Sequence, residues 1–197
     1  ALIHYDHPNR WLRGDVWKYM KQYALFWCNY AASTGGMVRF DNLHSSHSAF
    51  ITELTTAIRG KFPEMVILGE YFTDESTLSR TVPEWGINLI LANSWEYKTA
   101  SQLRHYFQYL HNTAPRLHHI CAMTTHDTEV PRTLFGSVMN TVPRHLANTL
   151  FGTGQTAIVQ GVEAGIRERV RFIGPPNELR EPPRPELAEP IRLINQV

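Results

Sequence analysis

Short apolar runs alternate with longer amphipathic stretches along the whole chain, and this alternation predicts a parallel α/β fold. Val16, Met20, Ala24, Trp27 and Ala31 recur at spacings of four and three and predict a helix over 15–32. Ser33-Thr34-Gly35-Gly36 ends it, because glycine supplies the backbone freedom that a helix stop needs. The run 37–41 (MVRFD) reads as a strand. A second helix over about 48–59 follows from Phe50, Ile51, Leu54, Ala57 and Ile58, and Pro63 breaks the chain before a strand at 65–70 (MVILGE). A short helical piece then precedes a strand at 87–92 (INLILA). Thr99 and Gln102 form a capping box for the next helix, which buries Leu103, Tyr106, Phe107 and Leu110. A strand over 119–125 leads into His126-Asp127, and a helix at 142–150 and a strand at 156–160 (TAIVQ) complete the pattern.

Five strands with intervening helices fall short of a complete (β/α)8 barrel, which takes eight such units and about 250 residues. The 197 residues are therefore read as an α/β chain of TIM-barrel type that holds only the C-terminal portion, about five βα units. The remainder of the barrel is expected from the same protein or from another chain. Residues 1–174 are assigned to the barrel. Residues 175–197 hold half of the twelve prolines and are expected as a loop or linker, with a short helix at most near 191–194.

The apolar fraction of 43% and charged fraction of 19% are those of an ordinary globular protein. A net charge of +1 offers no concentrated basic face, so neither nucleic acid nor a membrane is expected as a partner. The longest apolar runs are too short to span a bilayer, and no basic-then-apolar leader opens the chain. Cys28 lies in a helical stripe and Cys121 in a strand-like run, without metal-ligand spacing. Both are expected as buried free thiols, which points to a reducing compartment and a cytoplasmic location.

Three predicted strands end in a carboxylate: Asp41, Glu70 and Asp127. In parallel α/β barrels functional side chains collect where strands end, so three acids from strands one and two units apart would converge over the barrel mouth. Any single acid at a strand end is as readily a cap or an ion-pair partner; three in register point to chemistry.

The same residues carry a resemblance. The stretch 36–41 (GMVRFD) resembles the nucleophile strand of the α-amylase superfamily, Gly69-Glu70 its acid/base strand, and His126-Asp127 its histidine–aspartate pair. The stretch 154–163 (GQTAIVQGVE) is similar to its eighth-strand segment. Within the superfamily, 38–45 (VRFDNLHS), 69–73 (GEYFT) and 125–131 (THDTEVP) most resemble the 4-α-glucanotransferase domain of glycogen debranching enzymes. The glucan maltosyltransferases share the arrangement Asp41-Asn42-Leu43-His44 and are the runner-up, and an α-amylase-like hydrolase is a further alternative. The resemblance runs over about 16–174. It implies a retaining enzyme acting on α-1,4-glucan or maltooligosaccharides by double displacement, with Asp41 as nucleophile, Glu70 as general acid/base and Asp127 as third carboxylate. Arg39, Asn42, His44, Tyr71 and His126 would contact substrate, and no cofactor is expected. Two positions depart from many amylases: Leu43-His44 stands where lysine and histidine are usual, and Thr125 where asparagine is.

Glycoside chemistry assigns the roles. One ionised carboxylate attacks the anomeric carbon and one protonated carboxyl protonates the leaving oxygen. Arg39, two residues back on the same strand face, would hold Asp41 ionised, whereas Glu70 has no basic residue within its own strand. Tyr71, Phe72, Trp85, Trp95 and Tyr97 are candidates to stack on sugar faces, the ordinary alternative being packing. Gln160 and Glu163 either meet substrate or cap the segment that follows.

Ten histidines raise a metal-dependent hydrolase as an alternative, through His44, His47, His118, His119 and His126. His44 and His47 fit one helical face, but a strand points the adjacent His118 and His119 to opposite faces, and no HExxH motif is present. No metal is therefore expected. The non-enzymatic alternative is an incomplete barrel that only binds glucan or a partner chain.

Overall fold

The computed structural model describes residues 10–113, 117–171, 173–175, 177–178, 182 and 184–197. By its internal contacts the chain divides into two units, one ending at Ile90 and one beginning at Leu91.

The first unit opens with helix α1 (Arg10–Ser33), strand β1 (Val38–Phe40), a 3-10 turn (Leu43–Ser45), helix α2 (Ser48–Lys61), strand β2 (Ile67–Gly69) and helix α3 (Glu75–Glu84), and it contains the start of strand β3 (Leu89–Ala92). The strands run parallel: Val38 pairs with Ile67, Arg39 with Leu68 and Phe40 with Gly69, while Leu68 and Gly69 pair onward with Leu89 and Ile90. The glycine stop works as the sequence predicts. Gly35 turns the chain at φ 67°, and the Gly36 N–H donates to the Ala31 carbonyl at 2.8 Å. Gly69 leaves room for Leu43, since a Cβ there would stand 2.7 Å from Leu43 Cδ1 and the leucine would have to shift.

Helix α2 buries Phe50, Ile51, Leu54 and Ile58, the face read from its periodicity. Trp17 and Lys21 of α1 donate to Glu53 of α2 at 2.9 and 2.7 Å and tie the two helices together. Asp74 caps α3; the Ser76 hydroxyl and the Thr77 N–H hold its carboxyl well below the usual carboxylate range. The outer side of α1 carries a row of exposed rings, Tyr19, Tyr23, Phe26, Trp27 and Tyr30. Three ring pairs meet on Trp27 at 5.3–6.3 Å.

The second unit contains helix α4 (Ala100–Thr113), strand β4 (His118–Ala122), helix α5 (Pro131–Leu134), helix α6 (Thr141–Phe151), strand β5 (Gln155–Ala157) and helix α7 (Pro185–Ile194). Strands β4 and β5 are parallel, with Ile120 opposite Gln155, Cys121 opposite Thr156 and Ala122 opposite Ala157. The capping box forms as expected: the Thr99 N–H donates to Gln102 Oε1 at 3.0 Å, and the Gln102 N–H returns to Thr99 Oγ1 at 3.2 Å. Ala92, Tyr106, Phe107, Leu110 and Cys121 form a core cluster. Cys28 and Cys121 are buried and free, as the sequence predicts, and burial pushes the Cys121 thiol up to about 11.

At the proline-rich end the expectation changes. The proline-rich end is not only an extended loop, because α7 runs through it from Pro185. Pro185 stands in the first turn, where its missing N–H costs no bond, and Leu187, Ile191 and Ile194 are buried at spacings of four and three. His145 Nε2 lies 2.6 Å from Asn195 Oδ1, joining α6 to the end of α7. Among the described residues no helix is long and apolar enough to cross a membrane.

Candidate active site

Asp41 is the first residue past β1 and Glu70 the first past β2. Because Phe40 pairs with Gly69, the two acids leave their strands side by side at the same end of the parallel pair. One guanidinium spans them. Arg39 Nη1 lies 3.0 Å from Asp41 Oδ1, and Nη2 lies 3.2 Å from Glu70 Oε2. Glu70 therefore does have a basic neighbour, supplied by the adjacent strand rather than its own.

Glu70 is tied further into the turn after β1. Its Oε2 accepts the Asn42 N–H at 3.0 Å, its own N–H donates to the Phe40 carbonyl at 2.9 Å, and its carbonyl accepts the Leu43 N–H at 2.9 Å. Asn42 makes this turn in the left-handed region, φ 53° and ψ 44°, as the one non-glycine residue with positive φ among those described. Asparagine tolerates that conformation better than most residues. Its side-chain oxygen is buried without a hydrogen-bond partner among the described residues. The side chain of Asp41 is 70% exposed and that of Glu70 14% exposed, so the pair presents one open and one sheltered carboxylate.

His44 lies in the 3-10 turn Leu43–Ser45; its Nδ1 accepts the Phe72 N–H at 3.5 Å, and its ring lies 5.8 Å from that of Phe72. Tyr71 behaves differently from its expected role as a substrate contact. It is 6% exposed, its ring packs on Trp85 at 5.4 Å, and its hydroxyl accepts from Thr81 Oγ1 at 3.3 Å. A sugar-stacking ring needs an open face, so the structure gives Tyr71 a packing role. Trp85 and Trp95 are buried as well, and Tyr97 stacks on Tyr106 at 4.4 Å.

In the second unit, β4 ends at Ala122, so Asp127 stands in a turn beyond the strand rather than at its end. Threonines build that turn. The Thr125 N–H donates to Thr128 Oγ1 at 2.8 Å, and the Asp127 N–H donates to Thr125 Oγ1 at 3.2 Å. Arg169 donates to the Asp127 carbonyl at 3.0 Å, and His126 Nε2 lies 3.2 Å from Asp127 Oδ2. Glu163 caps its own turn by accepting the Gly161 N–H at 2.9 Å, the structural alternative read for it in the sequence. Among the described residues no three His, Cys, Asp or Glu side chains are grouped so as to hold a metal ion.

Sequence reasoning missed Arg59. Its guanidinium donates to the carbonyls of Pro63, Met65 and Gly86 and, at 2.6 Å, to Asn88 Oδ1, fixing the loops that feed β2 and β3. Nothing in its helical position at the end of α2 signals that role.

No protein-family model and no curated protein matches the sequence. Solved structures do match the fold. A debranching enzyme from Nostoc punctiforme, soaked with acarbose, superposes with a TM-score of 0.66 at 15% identity, over 98% of this chain and 44% of that one. The cyclic α-maltosyl-(1→6)-maltose hydrolase of Arthrobacter globiformis, in complex with maltose, matches with a TM-score of 0.61 at 15% identity, over 89% and 43%. An α-amylase from Lactobacillus plantarum matches at 0.59 and 12%, over 92% and 48%. The chain thus shares the parallel α/β fold of these solved proteins, and it spans less than half of their length.

Proposed function

We propose that this chain is the catalytic portion of a retaining α-glucan-active enzyme, with residues 1–174 as its part of the barrel. The observation that supports this reading best is the single guanidinium of Arg39 placed between Asp41 and Glu70 on adjacent strand ends. Double displacement needs two carboxyl groups close together, which the guanidinium provides, and the unlike exposure of Asp41 and Glu70 separates their roles. Asp41, open to solvent, is the nucleophile that attacks the anomeric carbon. Glu70 accepts both the Asn42 N–H and Arg39 through Oε2, which leaves Oε1 to carry the proton that passes to the leaving glycosidic oxygen. Once the first product leaves, the same oxygen takes a proton from the incoming acceptor. Arg39 fixes the relative orientation of the two groups. Asp127, with His126 beside it, acts as the third carboxylate, and Asn42 and His44 meet the sugar.

The finer reading is transfer, as in a 4-α-glucanotransferase. It rests on the resemblance of 38–45, 69–73 and 125–131 to glycogen debranching enzymes and on the fold shared with a debranching enzyme. A mechanism-based fluorosugar should label Asp41 in the full-length protein, as peptide mass mapping would show; labelling at Asp127 would overturn the assignment. A short maltooligosaccharide should disproportionate into longer and shorter chains with little gain in reducing ends. A steady rise in reducing ends without longer products would make the enzyme a hydrolase.

A further inference from the structure

A cavity of about 550 Å3 in the second unit is lined by the first turns of two helices, Ala100 and Leu103 of α4 and Pro143 and Arg144 of α6. Leu134 and Phe135 line it as well, and Lys98 and Asn140 are at its polar margin. Its composition is one-sided: two cations and no carboxylate. Both cations converge on one ring, with Lys98 Nζ 5.4 Å and Arg144 Cζ 4.2 Å from the Phe135 centroid.

Neither cation has an ion pair among the described residues. Lys98 Nζ donates to the Trp95 carbonyl at 2.7 Å, and Arg144 donates to the carbonyls of Tyr97 and Lys98. Carbonyl oxygens orient these groups without neutralising them, and a half-buried guanidinium without a counterion leaves charge unbalanced. Burial accordingly draws the Arg144 pKa down from its ordinary value. Helix α6 continues from the 3-10 turn Val138–Asn140, whose start is capped by Ser137, and Asn140 directs its amide to the Phe135 carbonyl at 2.8 Å. Lys98 follows β3 and Phe135 follows β4, so the cavity is built from βα connections, the part of a barrel-type fold that binds ligands.

We propose that this cavity binds a phosphoryl group, free or carried by a small molecule, held between Lys98 and Arg144. Leu103, Leu134 and Pro143 then provide an apolar wall for any organic part. A neutral sugar would leave the half-buried Arg144 without a counterion, whereas a phosphoryl group supplies one and reaches the exposed Lys98 as well. The inference stands independently of the catalytic reading, because none of its residues is assigned to catalysis.

The test is a titration of the full chain, labelled with nitrogen-15, by inorganic phosphate, glucose 6-phosphate and glucose at matched ionic strength. Amide shifts should concentrate on Ala100, Leu103, Phe135 and Asn140 with both phosphates and be absent with glucose. Arg144 also holds the chain leading into α4, so the diagnostic variant is Lys98→Glu, which should keep the wild-type melting temperature and weaken phosphate binding about tenfold or more. Lys98→Arg should bind nearly as the native chain does. Tighter binding of glucose 6-phosphate than of phosphate would assign the ligand as a sugar phosphate, and equal binding would assign the free anion; either supports the site. Equal binding of glucose, unchanged affinity in Lys98→Glu, or shifts confined to other residues would overturn it.

Discussion

The acids of the two units are held in different ways. In the first unit Asp41 and Glu70 follow directly on paired strands, and their spacing is set by the ladder that places Phe40 opposite Gly69. In the second unit Asp127 stands beyond the end of β4, in a turn closed by the hydroxyls of Thr125 and Thr128. A position fixed by strand register draws on many backbone bonds at once, whereas a position fixed by two hydroxyls depends on those two groups. The first arrangement suits the pair proposed as nucleophile and acid/base, where small displacements are costly. The second suits the proposed role of Asp127 as a group that only contacts substrate.

Removing the shared guanidinium or the acid it holds should have the largest effects. Arg39→Ala leaves both carboxylates without their common partner, and turnover should fall about 10²-fold in steady-state kinetics on maltooligosaccharides. A loss below threefold would show that register alone positions the pair. Glu70→Gln should lose a comparable or greater factor on natural glucans, about 10² to 10⁴, and be largely spared on a glycosyl fluoride, whose leaving group needs no proton.

Acidification should separate the units next. Burial, reinforced by the charge of His118, lowers the His119 pKa to about 4. An imidazole that is harder to protonate in the folded state than in the unfolded chain contributes its stability above pH 6.5, and that stability is lost as pH falls from about 6.5 to about 4. Opening free energies from hydrogen exchange, corrected for the intrinsic rate at each pH, should therefore fall at β4 and β5 in this window, and His119→Gln should flatten the dependence. An equal fall in wild type and variant would remove His119 from the account.

Smaller effects should follow at Gly69 and Thr128. Gly69→Ala pushes a methyl against Leu43 and should cost about 1–3 kcal/mol in denaturant unfolding. Thr128→Ala removes one hydroxyl from the Asp127 turn and should lower turnover at most about tenfold. A larger loss there than in Arg39→Ala would invert the comparison.

The elements were legible where a period or a cap dominates. The α2 face, the Gly35 stop and the Thr99–Gln102 box are local, and each forms as read. Strand limits read from the sequence run too far where apolar character continues past the last ladder bond: Ile158 and Val159 extend the expected strand 156–160, and β5 ends at Ala157. Helix α7 was mostly hidden, since six prolines outweighed the period of Leu187, Ile191 and Ile194. Within the candidate site, the Arg39–Asp41 contact follows from their spacing of two along the extended chain leaving β1. The Arg39–Glu70 contact needs the strand register, which no single strand encodes. Tyr71 shows the opposite case: its place beside Glu70 suggested substrate, but Trp85 and Thr81 occupy its ring and hydroxyl.

The row of rings on α1 has an optical consequence. Trp27 is 46% exposed and surrounded by Tyr23, Phe26 and Tyr30, whereas Trp85 and Trp95 are 3% and 6% exposed. Its indole is therefore open to water where theirs are not. Acrylamide should quench Trp27 before Trp85 and Trp95, and whatever comes to cover that face of α1 would shield Trp27 from the quencher and leave those two unchanged.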